Sequence, residues 1–119
     1  MIKEIQEIAE LQLRYSSENT PEMVRRGTVI RTELPLALRS HWHEYTQAIS
    51  KYSHDLSIEG SDGIGRKTQA PWVRIFSKEL SPSATTGFYL VIHFSTNGKY
   101  FFITLGCGAS KWDSDKGDL

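Results

Sequence analysis

A chain of 119 residues has room to bury one sizeable core but not to carry a binding module beside a separate catalytic domain. With 39% hydrophobic, 11% aromatic and 24% charged residues, it reads as a globular domain, neither disordered nor fibrous. The formal net charge of +0 makes no case by itself for a nucleic-acid partner, and without an apolar run near the ~20 residues of a bilayer span or a signal peptide at the charged Met1-Ile2-Lys3-Glu4 opening, a cytoplasmic protein with no membrane partner is expected.

The first half of the chain carries helical periodicity. Ile2, Ile5, Ile8, Leu11 and Tyr15 recur at spacings of three and four, which sets them on one face of an amphipathic helix. Ser16 to Asn19 ends it. Thr20-Pro21-Glu22 is a helix start: a hydroxyl cap, a proline where the missing N–H costs nothing, and an acid near the positive end of the dipole. This second helix is predicted to run to about Leu34, where Pro35 interrupts or kinks it. Leu38, Trp42, Tyr45, Ile49 and Tyr52 then form a third helical stripe, read as packing residues.

The second half switches to period two. A short strand is predicted over 55–59, and a stronger one over 72–76. Between them lies "GSDGIGRKTQAP", residues 60–71. Residues 1–60 hold seven bases and nine acids, whereas residues 63–78 hold Arg66, Lys67, Arg74 and Lys78 and no acid. A loop of this kind suits a phosphate backbone, but short acid-free stretches also arise in solvated loops. Within the following strand Val73 and Ile75 suit a core, while Trp72, Arg74 and Phe76 point the other way.

Two further strands flank Asn97-Gly98, a strong hairpin signal. Taken as the two loop residues of a type I′ turn, they pair Ser95 with Tyr100, Phe94 with Phe101, Ile92 with Ile103 and Leu90 with Leu105. That face is apolar and fit to pack on helices. The other face pairs His93 with Phe102, Val91 with Thr104 and Tyr89 with Gly106. If the strand over 72–76 joins the same sheet, Trp72 can face Tyr89 and His93, and a tryptophan opposite a tyrosine makes a slot for a flat ring. Equally, Trp72 can plug a small core under the loop over 77–87.

The run "GSDGIGRKTQAPWVRIF", with "SPSATTGFYLVIHFS", "LGCGAS" and the N-terminal "LQLRYSSENTPEMVRRGTVIRTELPLALR", resembles the N-terminal DNA-binding domain of McrB-type methylation-dependent restriction enzymes. The resemblance spans nearly the whole chain. It implies a single α+β domain, N-terminal helices packed on one face of a small mainly antiparallel sheet, helical over 1–52, β-rich over 55–105, with a tail over 110–119. It further implies binding of duplex DNA at a modified cytosine, 5-methylcytosine or 5-hydroxymethylcytosine, and flipping of that base into an aromatic pocket in anti-phage defence. Trp72 and Tyr89 match the family's pocket aromatics. His93 stands where the resemblance leads one to expect an apolar side chain against a cytosine methyl, and a histidine there can donate to a polar substituent instead. Arg66, Lys67, Arg74 and Lys78 are the expected phosphate contacts, and Ile64 at the loop tip is a candidate wedge. No catalysis and no cofactor are expected. A translocase or nuclease domain or subunit would act afterwards, and the polar Lys111–Leu119 stretch reads as cut short, as in a fragment of a larger restriction protein.

Other readings are weaker. Gly60 to Thr68 comes within one inserted residue of a phosphate-binding GxxxxGK[ST] loop, as in an NTPase, but such a loop must feed a helix. A protein-interaction domain using the mixed aromatic face is a further alternative. His41, His43 and the single Cys107 lack metal-site spacing, and Cys107 is expected to be a buried inert thiol.

Overall fold

The computed structural model describes residues 1–41 and 56–108. Helix α1 spans Ile2–Gln12. Its Ile8 is buried and Ile5 packs on the core, as the periodicity requires, whereas Ile2 is exposed. Helix α2 spans Pro21–Thr28, and its cap is the one the sequence spells: Thr20 Oγ1 accepts the Met23 backbone N–H at 3.2 Å, with Pro21 in the first turn.

Pro35 does not end the helical run. A π-helical turn, Val29–Glu33, follows α2 and leads directly into α3, Leu34–Ser40. Pro35 has no N–H for the Arg31 carbonyl. The extra residue of the π turn, closed by the Leu34 N–H on the Val29 carbonyl, lets the chain carry that defect without breaking. Leu38 of the third stripe packs against the core. Trp42, His43, Tyr45, Ile49 and Tyr52 lie outside the described residues, as do Asp55 and the Lys111–Leu119 tail.

The described strands form one antiparallel sheet in the order β1 (Leu56–Ser61), β2 (Trp72–Ser77), β3 (Phe88–Phe94), β4 (Phe101–Cys107). The β3–β4 register is the one read from the sequence, from Phe94 against Phe101 to Tyr89 against Gly106. The turn differs in kind. Gly98 has φ 71°, but among the described residues none other than glycine has positive φ, so Asn97 does not adopt the left-handed pair of a type I′ turn. Four residues, 96–99, form the loop instead. The Gly98 N–H reaches the Ser95 carbonyl at 3.2 Å and Ser95 N–H the Tyr100 carbonyl at 2.9 Å, while Asn97 Oδ1 accepts from the Lys99 backbone at 3.0 Å. The loop length preserves the pairing.

The helices cover one face of this sheet. Ile8, Val29, Ile30 and Leu34 pack on Val73, Ile92 and Phe94, and burying each such side chain contributes roughly 1.5–3 kcal/mol. The α+β architecture expected from the sequence is therefore the one observed. Along the edge strand β4 the apolar face is less covered: Phe101, Ile103 and Leu105 are exposed, as is Leu90 on β3. Cys107 is also exposed, contrary to the expected buried thiol, because it belongs to that edge strand, which is exposed along most of its length.

Candidate nucleic-acid interface

The sheet's second face carries the aromatic residues expected from the sequence to form a pocket. Cross-strand partners in an antiparallel sheet share a face, and Trp72 is the partner of His93, while Arg74 is the partner of Val91. Trp72, Arg74 and Phe76 thus share a side with Tyr89, Val91 and His93. Trp72, Tyr89, Val91 and His93, together with Ala84 from the loop over 78–87, line an opening of about 140 Å³. Val91 lies between Tyr89 and His93 along β3, roughly 6.6 Å from each at ~3.3 Å per residue, so an apolar floor separates two ring-bearing ends. Trp72 therefore stands against His93 and not directly opposite Tyr89.

Each wall is held. The Tyr89 hydroxyl donates to the Ala84 carbonyl at 2.6 Å, fixing ring and loop to each other. His93 Nε2 lies 3.0 Å from Thr104 Oγ1, so its free valence depends on the tautomer.

Arg74 does not reach the surface. It is fully buried, its guanidinium 3.6 Å from the Phe76 ring centroid and 5.2 Å from that of Tyr89, with Nη1 donating to the Ser81 carbonyl at 3.1 Å and to Ser81 Oγ at 3.2 Å. A phosphate contact needs an accessible guanidinium, so that expectation for Arg74 is corrected. The alternation placed it on the right face, but the loop over 78–87 folds across and covers it.

The loop between β1 and β2 splits into a clamped base and a bare tip. Asp62 is buried and receives Lys67 Nζ at 2.6 Å, with Arg31 as its second partner. Burial pushes the Asp62 carboxyl up, but hydrogen bonds from Lys67 and Arg31 outweigh it and hold the group below the ordinary aspartate value. Lys67 is mostly buried, with a side-chain exposure of 12%. Its ammonium is committed to Asp62 and is no free phosphate contact. Arg66 is exposed, as is Lys78, and Ile64 is 98% exposed. Gly65 beside it has φ 78°, the left-handed conformation that a side chain disfavours.

The loop's base is held by Gln12 and Arg26, which the sequence did not single out, and by Tyr15, which it placed only in the stripe of the first helix. Tyr15 Oη donates to the Lys67 carbonyl at 2.7 Å, Arg26 Nη2 to the Thr68 carbonyl at 2.7 Å, and Gln12 Nε2 to the Gln69 carbonyl at 3.0 Å. Consecutive carbonyls are thus each taken by a side chain from the N-terminal half: Gln12 of α1, Tyr15 just beyond it and Arg26 of α2. Arg26 also donates to Gln12 Oε1 at 2.6 Å and lies 5.6 Å from the Tyr15 ring centroid. Burial lowers the Arg26 pKa, with the Asp62 carboxylate as counterweight, and the group stays charged. The only sequence hint was a polar Gln12 beside an apolar helical stripe.

A larger concavity of about 630 Å³ lies on the opposite, helix-covered face, bounded by Ile2, Ile5, Leu38, Phe101 and Ile103 among others. Its lining is mainly apolar, with Gln6, Lys99 and Tyr100 among the residues at its edge, so the smaller opening, walled by two aromatic rings and His93, is the better match to a flat polar ligand.

Residues 10–118 match the family described as MrcB-like, N-terminal domain. The chain belongs to this family. No curated protein and no solved structure matches it. Membership places this MrcB-like domain among DNA-binding domains of restriction systems, as the resemblance implied. Among the described residues of the MrcB-like domain, no helix is long and apolar enough to cross a membrane.

Proposed function

We propose that this MrcB-like domain recognises a modified cytosine in duplex DNA by flipping the base into the opening between Tyr89 and the Trp72–His93 pair, and that it has no catalysis of its own. The observation that carries the reading is that opening: about 140 Å³, lined by Trp72, Tyr89 and His93 over Val91, close to the roughly 150 Å³ that admits a benzene ring in an engineered cavity. Flipping costs a few kcal/mol of lost stacking and pairing. Aromatic contacts return about 1–3 kcal/mol per base. Val91 offers an apolar contact to a 5-methyl group, and His93 offers a donor or acceptor to a hydroxymethyl or larger substituent.

Arg66 and Lys78 are the exposed cations that contact phosphate, and Ile64 enters the gap left by the flipped base. A restriction translocase or nuclease, on another domain or subunit, acts once the base is held. The test is a duplex with 2-aminopurine next to the modified cytosine: its fluorescence should rise on binding as the neighbouring base leaves the stack, and tight binding without any rise would overturn base flipping.

A protein-interaction role has one observation in its favour, the exposed Phe102, Ile103 and Leu105 on β4. Salt separates the readings, since DNA binding weakens steeply as salt rises and an apolar contact does not. The NTPase reading is set aside: the loop after Ser61 leads into β2 at Trp72, with no helix N-terminus to receive phosphates.

A further inference from the structure

We infer that Arg74 is a positioning residue for the base pocket, setting its selectivity without touching DNA. This rests on the base-flipping reading above. Arg74 lies beside the pocket and not in its lining: it is the cross-strand partner of Val91, and the opening is lined by Val91 and Trp72 but not by Arg74 itself. Two of its relationships lead to the pocket's surroundings, the Tyr89 ring and the loop over 78–87, and a third ties it to β1. The guanidinium lies over the rings of Phe76 and Tyr89, 3.6 and 5.2 Å from their centroids, and Tyr89 at the same time lines the opening. Nη1 holds Ser81 through both its carbonyl and its hydroxyl. Nη2 reaches Glu59 on β1 at 3.4 Å.

Ser81 is the link to the capping loop. It is fully buried, and its Oγ donates to the Thr86 carbonyl at 2.5 Å and approaches the Ser83 carbonyl at 3.3 Å. Ala84, between those two residues, lines the opening and accepts the Tyr89 hydroxyl. Arg74, Ser81, the loop and Tyr89 therefore close a circuit around one side of the pocket. A buried guanidinium is costly to desolvate. A planar fork that stacks on rings and donates in two directions does what a lysine cannot. With it removed, Tyr89 and Ala84 lose their common support, and the gap that must match one flat ring is no longer fixed.

The experiment compares the full chain with Arg74→Met, Arg74→Lys and Ser81→Ala, by affinity for otherwise identical duplexes carrying cytosine, 5-methylcytosine or 5-hydroxymethylcytosine, and by the salt dependence of each. Circular dichroism accompanies every variant. For Arg74→Met the modified-to-plain affinity ratio should fall about tenfold, the size of one lost aromatic contact, with the salt slope unchanged. Arg74→Lys should retain part of the ratio. Ser81→Ala, which keeps the guanidinium and a small side chain, should shift the ratio the same way by less, and it decides the matter if Arg74→Met does not fold. A slope lower by about one unit in Arg74→Met would mark a phosphate contact and overturn the inference. So would an unchanged ratio in both Arg74→Met and Ser81→Ala. A wild-type protein without any preference would instead bring down the base-pocket reading, and this inference with it.

Discussion

Trp72 and His93 are cross-strand partners on β2 and β3, side by side on the face away from the helices. Counted along β3 alone, His93 lies far from Tyr89, about 13 Å at ~3.3 Å per residue. The partnership with Trp72 makes it part of one end of the opening. His93→Leu should therefore shift preference from hydroxymethylated or larger substituents toward 5-methylcytosine, by about 1–3 kcal/mol where a hydroxyl loses its partner. Affinities of the leucine variant across the modified duplexes check it. An identical rank order before and after would make His93 a bystander.

Trp72→Ala and Tyr89→Ala should each remove most discrimination between modified and plain DNA, at about 1–3 kcal/mol per lost aromatic face, while helix and sheet signals in circular dichroism persist. Trp72 is only half-buried and outside the main apolar cluster, so its loss should lower the melting temperature modestly. Unfolding of Trp72→Ala would show instead that the ring is a plug under the loop over 78–87.

The paired bases of the loop should behave differently from each other. Arg66→Ala should lower affinity for modified and plain duplexes alike and reduce the salt slope by about one unit. Lys67→Ala should act on stability, since it leaves the buried Asp62 with Arg31 alone. The sign of the pH effect follows from the depressed Asp62 pKa: its stabilisation is complete above the ordinary aspartate value near 3.9 and is lost as pH falls through the lower, folded value. Acid titration of Asp62→Asn should show a shallower loss of stability in that window. Equal acid sensitivity of the two proteins would contradict the assignment.

The clamp under the loop can be probed with one atom. Tyr15→Phe deletes the hydroxyl that holds the Lys67 carbonyl and keeps the ring beside Arg26. It should cost about 1 kcal/mol of stability and weaken DNA binding without changing the salt slope, because a looser tip must be ordered on binding. Hydrogen exchange of the loop amides checks the cause. Unchanged protection over residues 64–69 would dissociate the clamp from loop order.

The local signals in the sequence proved sufficient where a structure is made by neighbours. Thr20-Pro21 states its own helix start, and the hairpin register follows from alternation around Asn97-Gly98 even though the turn conformation differs. What escaped the sequence depends on chain reversals. Arg74 has the alternation of an outward residue and is buried because a later loop crosses it. Lys67 has the neighbourhood of a phosphate ligand and bonds Asp62 because the loop doubles back. Tyr15, Arg26 and Gln12 reach carbonyls 52, 42 and 57 residues away, distances at which no periodicity carries information.

The central claim is that the opening between Tyr89 and the Trp72–His93 pair reads a modified base. One panel tests it most directly: affinities of the wild-type domain for identical duplexes whose central base alone differs among cytosine, 5-methylcytosine, 5-hydroxymethylcytosine, glucosylated hydroxymethylcytosine, N4-methylcytosine and N6-methyladenine. The expected result is tighter binding to at least one C5-modified cytosine than to plain cytosine, by tenfold or more, about 1.4 kcal/mol. Equal affinity for every duplex, with the salt dependence of phosphate contact alone, would contradict it.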